Sequence, residues 1–366
     1  MADEPGSAAP RPRGFDDWLE QLTARGGSDL YLVSGLPPSL RVHGAVQRLD
    51  EPVLDGAVIE RQVLSALPAY AAERYRATGA ADASVRRGPQ ARFRVNLHRE
   101  RGRPAATVRA LPVRPPRLDE LSLPPQVEAL TRLPYGLVLV GGPTGAGKTT
   151  TVAALVEAIT RRAARHVVFI EDPIEYELPH GLGVVEHVEI GVDAPDFPTA
   201  LRAVVRQSPD VIVVGEMRDP ETMRIALTAG ETGHLVLSTL HTSDVATTVS
   251  RIADAFPAER QATIRQELSM SLAAVMTQTL LPRVGGGRIP AAELLMVGYG
   301  ARQHVRKNAL QHLHQEITIT RRDGSFTFEE SLTDLVRRGL IDPADARARA
   351  PHREELDALL RAAGVG

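Results

Sequence analysis

Short, wholly apolar runs set between glycine-rich or charged turns dominate the middle of the chain. One is Tyr135-Gly136-Leu137-Val138-Leu139-Val140, and three more are His166-Val167-Val168-Phe169-Ile170, Val211-Ile212-Val213-Val214 and His234-Leu235-Val236-Leu237-Ser238. Runs this short and this rich in β-branched residues predict central parallel strands covered on both faces. Residues 149–160 are alanine-rich, with apolar side chains at helical spacing, and predict a helix directly after the first strand. Strand alternating with helix is the pattern of an α/β core. Toward the amino terminus the period changes. Residues 15–22 read as a helix and residues 29–33 alternate like a strand; residues 91–97 and 106–111 flank the turn Arg101-Gly102-Arg103-Pro104 as an antiparallel pair. That first unit is α+β.

Proline and glycine punctuate the rest. Pro112, Pro115 and Pro116 mark a semi-rigid linker, because proline fixes φ and removes a backbone donor. Pro5, Pro10 and Pro12 among small and polar residues predict a mobile tail. After Gly285-Gly286-Gly287 the remainder reads as mostly helical. The expected organisation is a tail over 1–13, an α+β domain over 14–113, an α/β domain over 114–300 that includes the linker at its start, and a helical region over 301–366.

With 366 residues, 43% of them hydrophobic, and a net charge of -2, the chain is long enough for two or three globular units and has no global pull towards nucleic acid. It has no cysteine, which excludes a disulfide framework, a Cys-ligated zinc site and a thiol nucleophile. No apolar run reaches the roughly 18 residues that span a bilayer, and the first residues have no basic and apolar leader pattern, so a cytoplasmic location is expected.

Of 43 Lys+Arg residues only Lys148 and Lys307 are lysines, and Lys148 lies in Gly142-Pro143-Thr144-Gly145-Ala146-Gly147-Lys148-Thr149-Thr150. In G-x-x-x-x-G-K-[ST], glycines let backbone N–H groups wrap phosphates, a compact ammonium reaches the β- and γ-phosphates, and the hydroxyl of Thr149 can ligate Mg²⁺. Placed between strand and helix, the loop also meets the positive end of the helix dipole. No G-x-G-x-x-G follows the strand, which disfavours a dinucleotide site.

In a parallel sheet, ligands gather at the carboxyl ends of the strands. Glu171-Asp172-Pro173-Ile174-Glu175, Gly215-Glu216 and Thr239-Leu240-His241-Thr242 follow three of the predicted strands. Hydrolysis of a nucleoside triphosphate needs a carboxylate that orients and deprotonates water, a Mg²⁺ site and donors at the γ-phosphate. Glu171 is the candidate base and Glu216 the candidate metal ligand, directly or through water; the two roles could be exchanged. Asp172 and Glu175 are expected to hold their loop. His241 is a candidate donor to the γ-phosphate, and His234 is expected to be mainly structural. His304, His312 and His314 match no usual zinc spacing. Arg92 and Arg94 share a strand face by the period of two; with Arg109 they form either an exposed charged face or arginine fingers for a neighbouring subunit.

These residues together resemble the PilT-like motor ATPases of type IV pili, in the secretion ATPase superfamily. Residues 142–150 match that family's Walker A, 170–175 its Asp box, 209–219 its atypical Walker B, and 228–234 with 239–242 its His box. Gly27-Ser28-Asp29-Leu30, Gly35-Leu36-Pro37-Pro38 and Arg92-Phe93-Arg94-Val95-Asn96 match as well. The resemblance implies a PAS-like α+β domain joined to a RecA-like P-loop core with a helical C-terminal extension. It implies a homohexamer that uses ATP and Mg²⁺, with Glu171 as base, Glu216 as Walker B carboxylate, His234 and His241 as His-box residues, and Arg92, Arg94 and Arg109 directed at the phosphates. An inner-membrane pilus platform protein is the implied partner, with a paralogous pilus ATPase as a further one, and no direct nucleic acid is expected. The implied location is cytoplasmic, peripheral to the inner membrane. Residues 184–189 and 301–307 depart from the family's pattern. Pilus retraction is the leading expectation. Pilus assembly or type II secretion relatives usually carry a tetracysteine zinc module that this chain lacks. From different functional classes, a RecA-like nucleic-acid translocase and a non-catalytic partner of another pilus motor compete with it.

Overall fold

The computed structural model describes residues 13–88, 91–112 and 114–365. The expected tail thus lies outside the described residues except for Arg13. The chain divides into two compact units at the boundary between residues 113 and 114.

In the first unit α1 (Phe15–Ala24), β1 (Asp29–Val33), β2 (Ser39–Val42), β3 (Ala45–Arg48), α2 (Gly56–Ala66), α3 (Ala69–Thr78), β4 (Ala81–Arg86), β5 (Arg92–Glu100) and β6 (Arg103–Leu111) follow in order. The strands form a six-stranded sheet in the order β3-β2-β1-β6-β5-β4, with every pairing antiparallel. Alternation places Leu30, Leu32, Val95, Leu97 and Val108 in one core with Trp18, Leu19, Leu22, Ile59 and Val63 from the helices. The Trp18 indole N–H is satisfied by Glu51 at 2.6 Å. The predicted β5–β6 pair is present, turning tightly at Arg101 and Gly102, both at positive φ.

The second unit begins with 3-10 turns at Leu118–Leu121 and Pro125–Arg132 and continues through β7 (Gly136–Gly141), α4 (Lys148–Arg162), β8 (His166–Glu171), β9 (Val184–Glu189), α5 (Phe197–Val204), β10 (Val211–Glu216), α6 (Pro220–Glu231), β11 (Leu235–Leu240), α7 (Val245–Asp254), α8 (Ala258–Ser271), β12 (Leu272–Pro282) and β13 (Arg288–Met296). The seven-stranded sheet has the order β13-β12-β7-β11-β10-β8-β9 and is parallel except for β13. Successive side chains go to opposite faces. Leu137, Leu139, Val168, Ile170, Ile212, Val214 and Val236 pack in one core with residues of α5 to α8, whereas Val138, Val140, Val167, Phe169, Val211, Val213, Leu235 and Leu237 pack against Val152, Leu155, Val156 and Ile159 of α4. Both faces being covered explains why these strands read as unbroken apolar runs.

Strand β13 is the exception within the otherwise mostly helical remainder after Gly287. Arg288–Met296 pairs antiparallel with β12, from Ala274↔Met296 to Pro282↔Arg288, across a turn in which Gly285, Gly286 and Gly287 all have positive φ. The run is rich in Ala, Glu and Leu, good helix formers, but pairing with the long β12 overrides that local preference. Beyond it come α9 (Tyr299–Arg306), α10 (Leu313–Ile319), α11 (Phe328–Arg337), α12 (Pro343–Arg349) and α13 (Arg353–Ala362). Leu332, Leu335, Leu356 and Leu360 of these helices pack on Leu281, Ile289 and Ala291 of the hairpin.

Candidate nucleotide site

The loop between β7 and α4 is shaped by close approach as much as by flexibility. Gly142 has φ of +151°, and a Cβ there would lie 2.4 Å from the carbonyl oxygen of Gln278; at Gly141 it would lie 2.5 Å from Thr242 Oγ1. No side chain fits either place. The loop hands its chain to α4 through Gly147, at φ +85°.

Lys148 is buried at 7% exposure, and its Nζ donates to the carbonyls of Gly142 at 2.8 Å and Pro143 at 3.0 Å. Burial pushes its pKa down, and the negative charges of Glu216 and Glu175 oppose that shift. The ammonium is thus held against the loop that would wrap a polyphosphate, with two carboxylates close enough to support its charge. Thr149 is half-buried at the start of α4 and Thr150 exchanges a hydrogen bond with the Tyr176 hydroxyl at 2.9 Å.

The strands deliver three of the predicted side chains to the same end of the sheet. Glu171 ends β8 and is 5% exposed; burial raises its carboxyl pKa, against the opposing influence of His187. Glu216 ends β10, forms an ion pair with Arg218, and its Oε2 stands 3.7 Å from His241 Nε2. His241 follows β11, and its Nδ1 is 3.3 Å from Thr144 Oγ1 in the loop. Burial, then the charge of Lys148, lowers the His241 pKa, which favours the neutral ring at neutral pH. A neutral imidazole can report one partner by donating and another by accepting.

His234 is not brought to this cluster. It precedes β11 at the opposite end of the strand, roughly 20 Å away at about 3.3 Å per residue, and its Nδ1 meets the carbonyl of Ala229 at 3.1 Å. Within the first unit, Arg92, Arg94 and Arg109 do share a face of the sheet, since Arg94 pairs directly opposite Arg109. Arg94 is held by both oxygens of Asp82, at 3.0 and 2.7 Å, Arg109 by Asp29 at 3.0 Å, and Arg92 reaches Ser84 Oγ at 3.4 Å.

Other residues shape the site without standing out in the sequence. Gln278 on β12 is 3% exposed; its amide donates to the carbonyl of Ala146 at 2.6 Å and accepts from Thr151 Oγ1 at 2.8 Å, clamping the loop to the helix it precedes. A glutamine inside the apolar run of β12 was the available signal. Glu189 supports the Asp172–Glu175 loop, its Oε2 accepting from the Ile174 N–H at 3.3 Å. Glu293 accepts from the Val245 N–H and from Thr277 Oγ1, both at 2.8 Å, which fixes the start of α7 behind the loop after β11.

Hard oxygen donors suit Mg²⁺, and the Thr149 hydroxyl with the Glu216 carboxylate is a donor set of that kind. Among the described residues no helix is long and apolar enough to cross a membrane, and no cluster of three or more His, Cys, Asp or Glu forms a metal cage, the group around His304, His312 and His314 included.

The family model described as type II/IV secretion system protein matches residues 15–334. The type IV pilus retractation ATPase PilT of Pseudomonas aeruginosa is 38% identical over 326 residues, covering 89% of this chain and 95% of that protein. A twitching motility protein of Neisseria gonorrhoeae is 39% identical over 320 residues, covering 87% and 86%. A crystal structure of the pilus retraction motor PilT with bound ADP superposes with a TM-score of 0.87 at 37% identity, over 94% of this chain and 99% of that one.

Proposed function

The chain belongs to the type II/IV secretion system protein family and is an ATPase, and on that premise we propose that it is a ring-forming motor whose ATP hydrolysis drives retraction of a type IV pilus, and with it twitching motility. The observation that carries the retraction reading is the end-to-end likeness to proteins bearing that function, over nearly nine-tenths of the chain. A pilus platform protein at the inner membrane is the partner this reading requires, and a second pilus ATPase is compatible with it.

At the site, Lys148 and the loop amides bind the β- and γ-phosphates. Glu171 is the base. Its buried carboxylate, with a raised affinity for protons, is better suited to accept one from water than Glu216, which is already paired with Arg218. The water oxygen bonds to the γ-phosphorus, its proton passes to the Glu171 carboxylate, and the bond to the bridging oxygen breaks to release ADP. Thr149 and Glu216 would hold Mg²⁺, which when bound neutralises charge on the phosphate oxygens. His241 donates toward the γ-phosphate from between Thr144 and Glu216. Arg94 and Arg109, held by Asp82 and Asp29, and Arg92, bonded to Ser84, serve the site of a neighbouring subunit in a hexamer.

The test is a count of surface pili in native cells in which the Lys148→Ala chain replaces the original. Accumulated pili with lost twitching support retraction. Loss of pili makes the chain an assembly motor, and unchanged pili and twitching refute a pilus role.

A further inference from the structure

The carboxylate assigned as the base has a neighbour that no motif marks. His187 lies on β9, two residues before the partner of Glu171 in the parallel register: Phe169 stands opposite His187 and Glu171 opposite Glu189. Its ring stacks on Phe169 at 4.7 Å between centroids and 17° between planes. The Leu178 N–H donates to Nε2 at 3.2 Å, so a neutral ring carries its proton on Nδ1. Nδ1 faces Glu171 Oε2 at 3.7 Å, and each of these two buried atoms is otherwise without a hydrogen-bond partner. Unsatisfied buried polar groups are costly, and two that face each other across a gap slightly longer than a hydrogen bond are poised to close it.

We infer that His187 is a positioning residue for hydrolysis, its Nδ1–H orienting the Glu171 carboxylate toward the attacking water. The inference rests on Glu171 being the base. The stack on Phe169 and the bond from Leu178 lock the ring in rotation and tautomer, leaving Nδ1 one direction in which to donate. The neighbouring elements offer Glu171 Oε2 no competing side-chain donor. β10 presents the bare Gly215, whose Cβ would sit 3.5 Å from Glu171 Cγ; Glu175 in the following loop brings a backbone N–H and a negative charge, and Glu189 is engaged with Ile174.

The experiment uses the purified full-length protein. His187→Leu removes the donor and should lower kcat roughly ten- to a hundredfold, with ADP affinity unchanged. His187→Asn places an amide N–H where Nδ1 was and should recover most of that loss, which also separates the effect from misfolding. The acid limb of the pH–rate profile should move to higher pH in His187→Leu, because a carboxylate without its donor holds a proton more readily, and return in His187→Asn. In a Glu171→Gln background, single-turnover rates should be the same with and without His187→Leu. Wild-type kcat in His187→Leu overturns the inference, as does an Asn variant no better than Leu or an equal proportional loss in the Glu171→Gln background. Near-normal turnover by Glu171→Gln alone would instead remove Glu171 as the base.

Discussion

Replacing Gln278 by leucine keeps the volume of the side chain on β12 and deletes both ends of the clamp on the P-loop. Two buried groups lose their partner: the Ala146 carbonyl, bonded at 2.6 Å, and the Thr151 hydroxyl, bonded at 2.8 Å on a residue 2% exposed. Leaving a buried polar group unsatisfied costs about 1–3 kcal/mol. Thr151 can turn its hydroxyl to the carbonyl of Gly147, four residues back at the N-cap of α4, which offsets part of its share, so the net loss should be about 2 kcal/mol. For a unit of this size that corresponds to a fall in Tm of roughly 4–8 °C. The Ala146 carbonyl belongs to the loop proposed to cradle the phosphates, so ADP affinity should fall as well, by roughly tenfold if about 1.4 kcal/mol of the loss is expressed in the bound state. Thermal melting with and without saturating ADP measures both. A variant that melts within about 1 °C of wild type and binds ADP as tightly would refute the claim that Gln278 holds the loop in its binding shape.

The buried Glu171 carries a stability cost at neutral pH. With its folded pKa raised by burial, its favourable contribution is present below the ordinary carboxyl value of 4.5 and is lost as pH rises through the raised value. Glu171→Gln should therefore melt above wild type at about pH 8 and lose that advantage toward about pH 4; a difference constant across this range refutes the raised pKa. Gly142→Ala should abolish nucleotide binding, since its Cβ would sit 2.4 Å from the Gln278 carbonyl, and normal ATP binding would show that the loop relaxes freely. If the arginines act on a neighbouring subunit, Arg94→Ala and Lys148→Ala proteins, each inactive alone, should recover measurable ATPase activity when mixed. No recovery at any ratio argues against a shared site.

Much of the ATPase core was legible because its signals are local. The loop from Gly142 to Thr149 needs glycine at Gly142, where a Cβ would meet backbone at 2.4 Å, and the buried strands need unbroken apolar runs; both demands act on consecutive residues. β13 escaped because its pairing partner, not its own composition, decides its structure. Gln278 and His187 escaped for a related reason: the first acquires its role from a loop 132 residues away in sequence, the second from a neighbouring strand whose register no short window reveals. His234 and His241 are close in sequence but lie at opposite ends of β11, with His234 against the Ala229 carbonyl.

Hydrolysis at this site and shortening of the pilus can be joined in one measurement. Fluorescently labelled pili would be followed on living native cells in which the Glu171→Gln chain replaces the original. Pili should still extend but fail to shorten, while cells with the unaltered chain extend and retract them. Pili that shorten at the normal rate, or that never extend, would contradict hydrolysis-driven retraction.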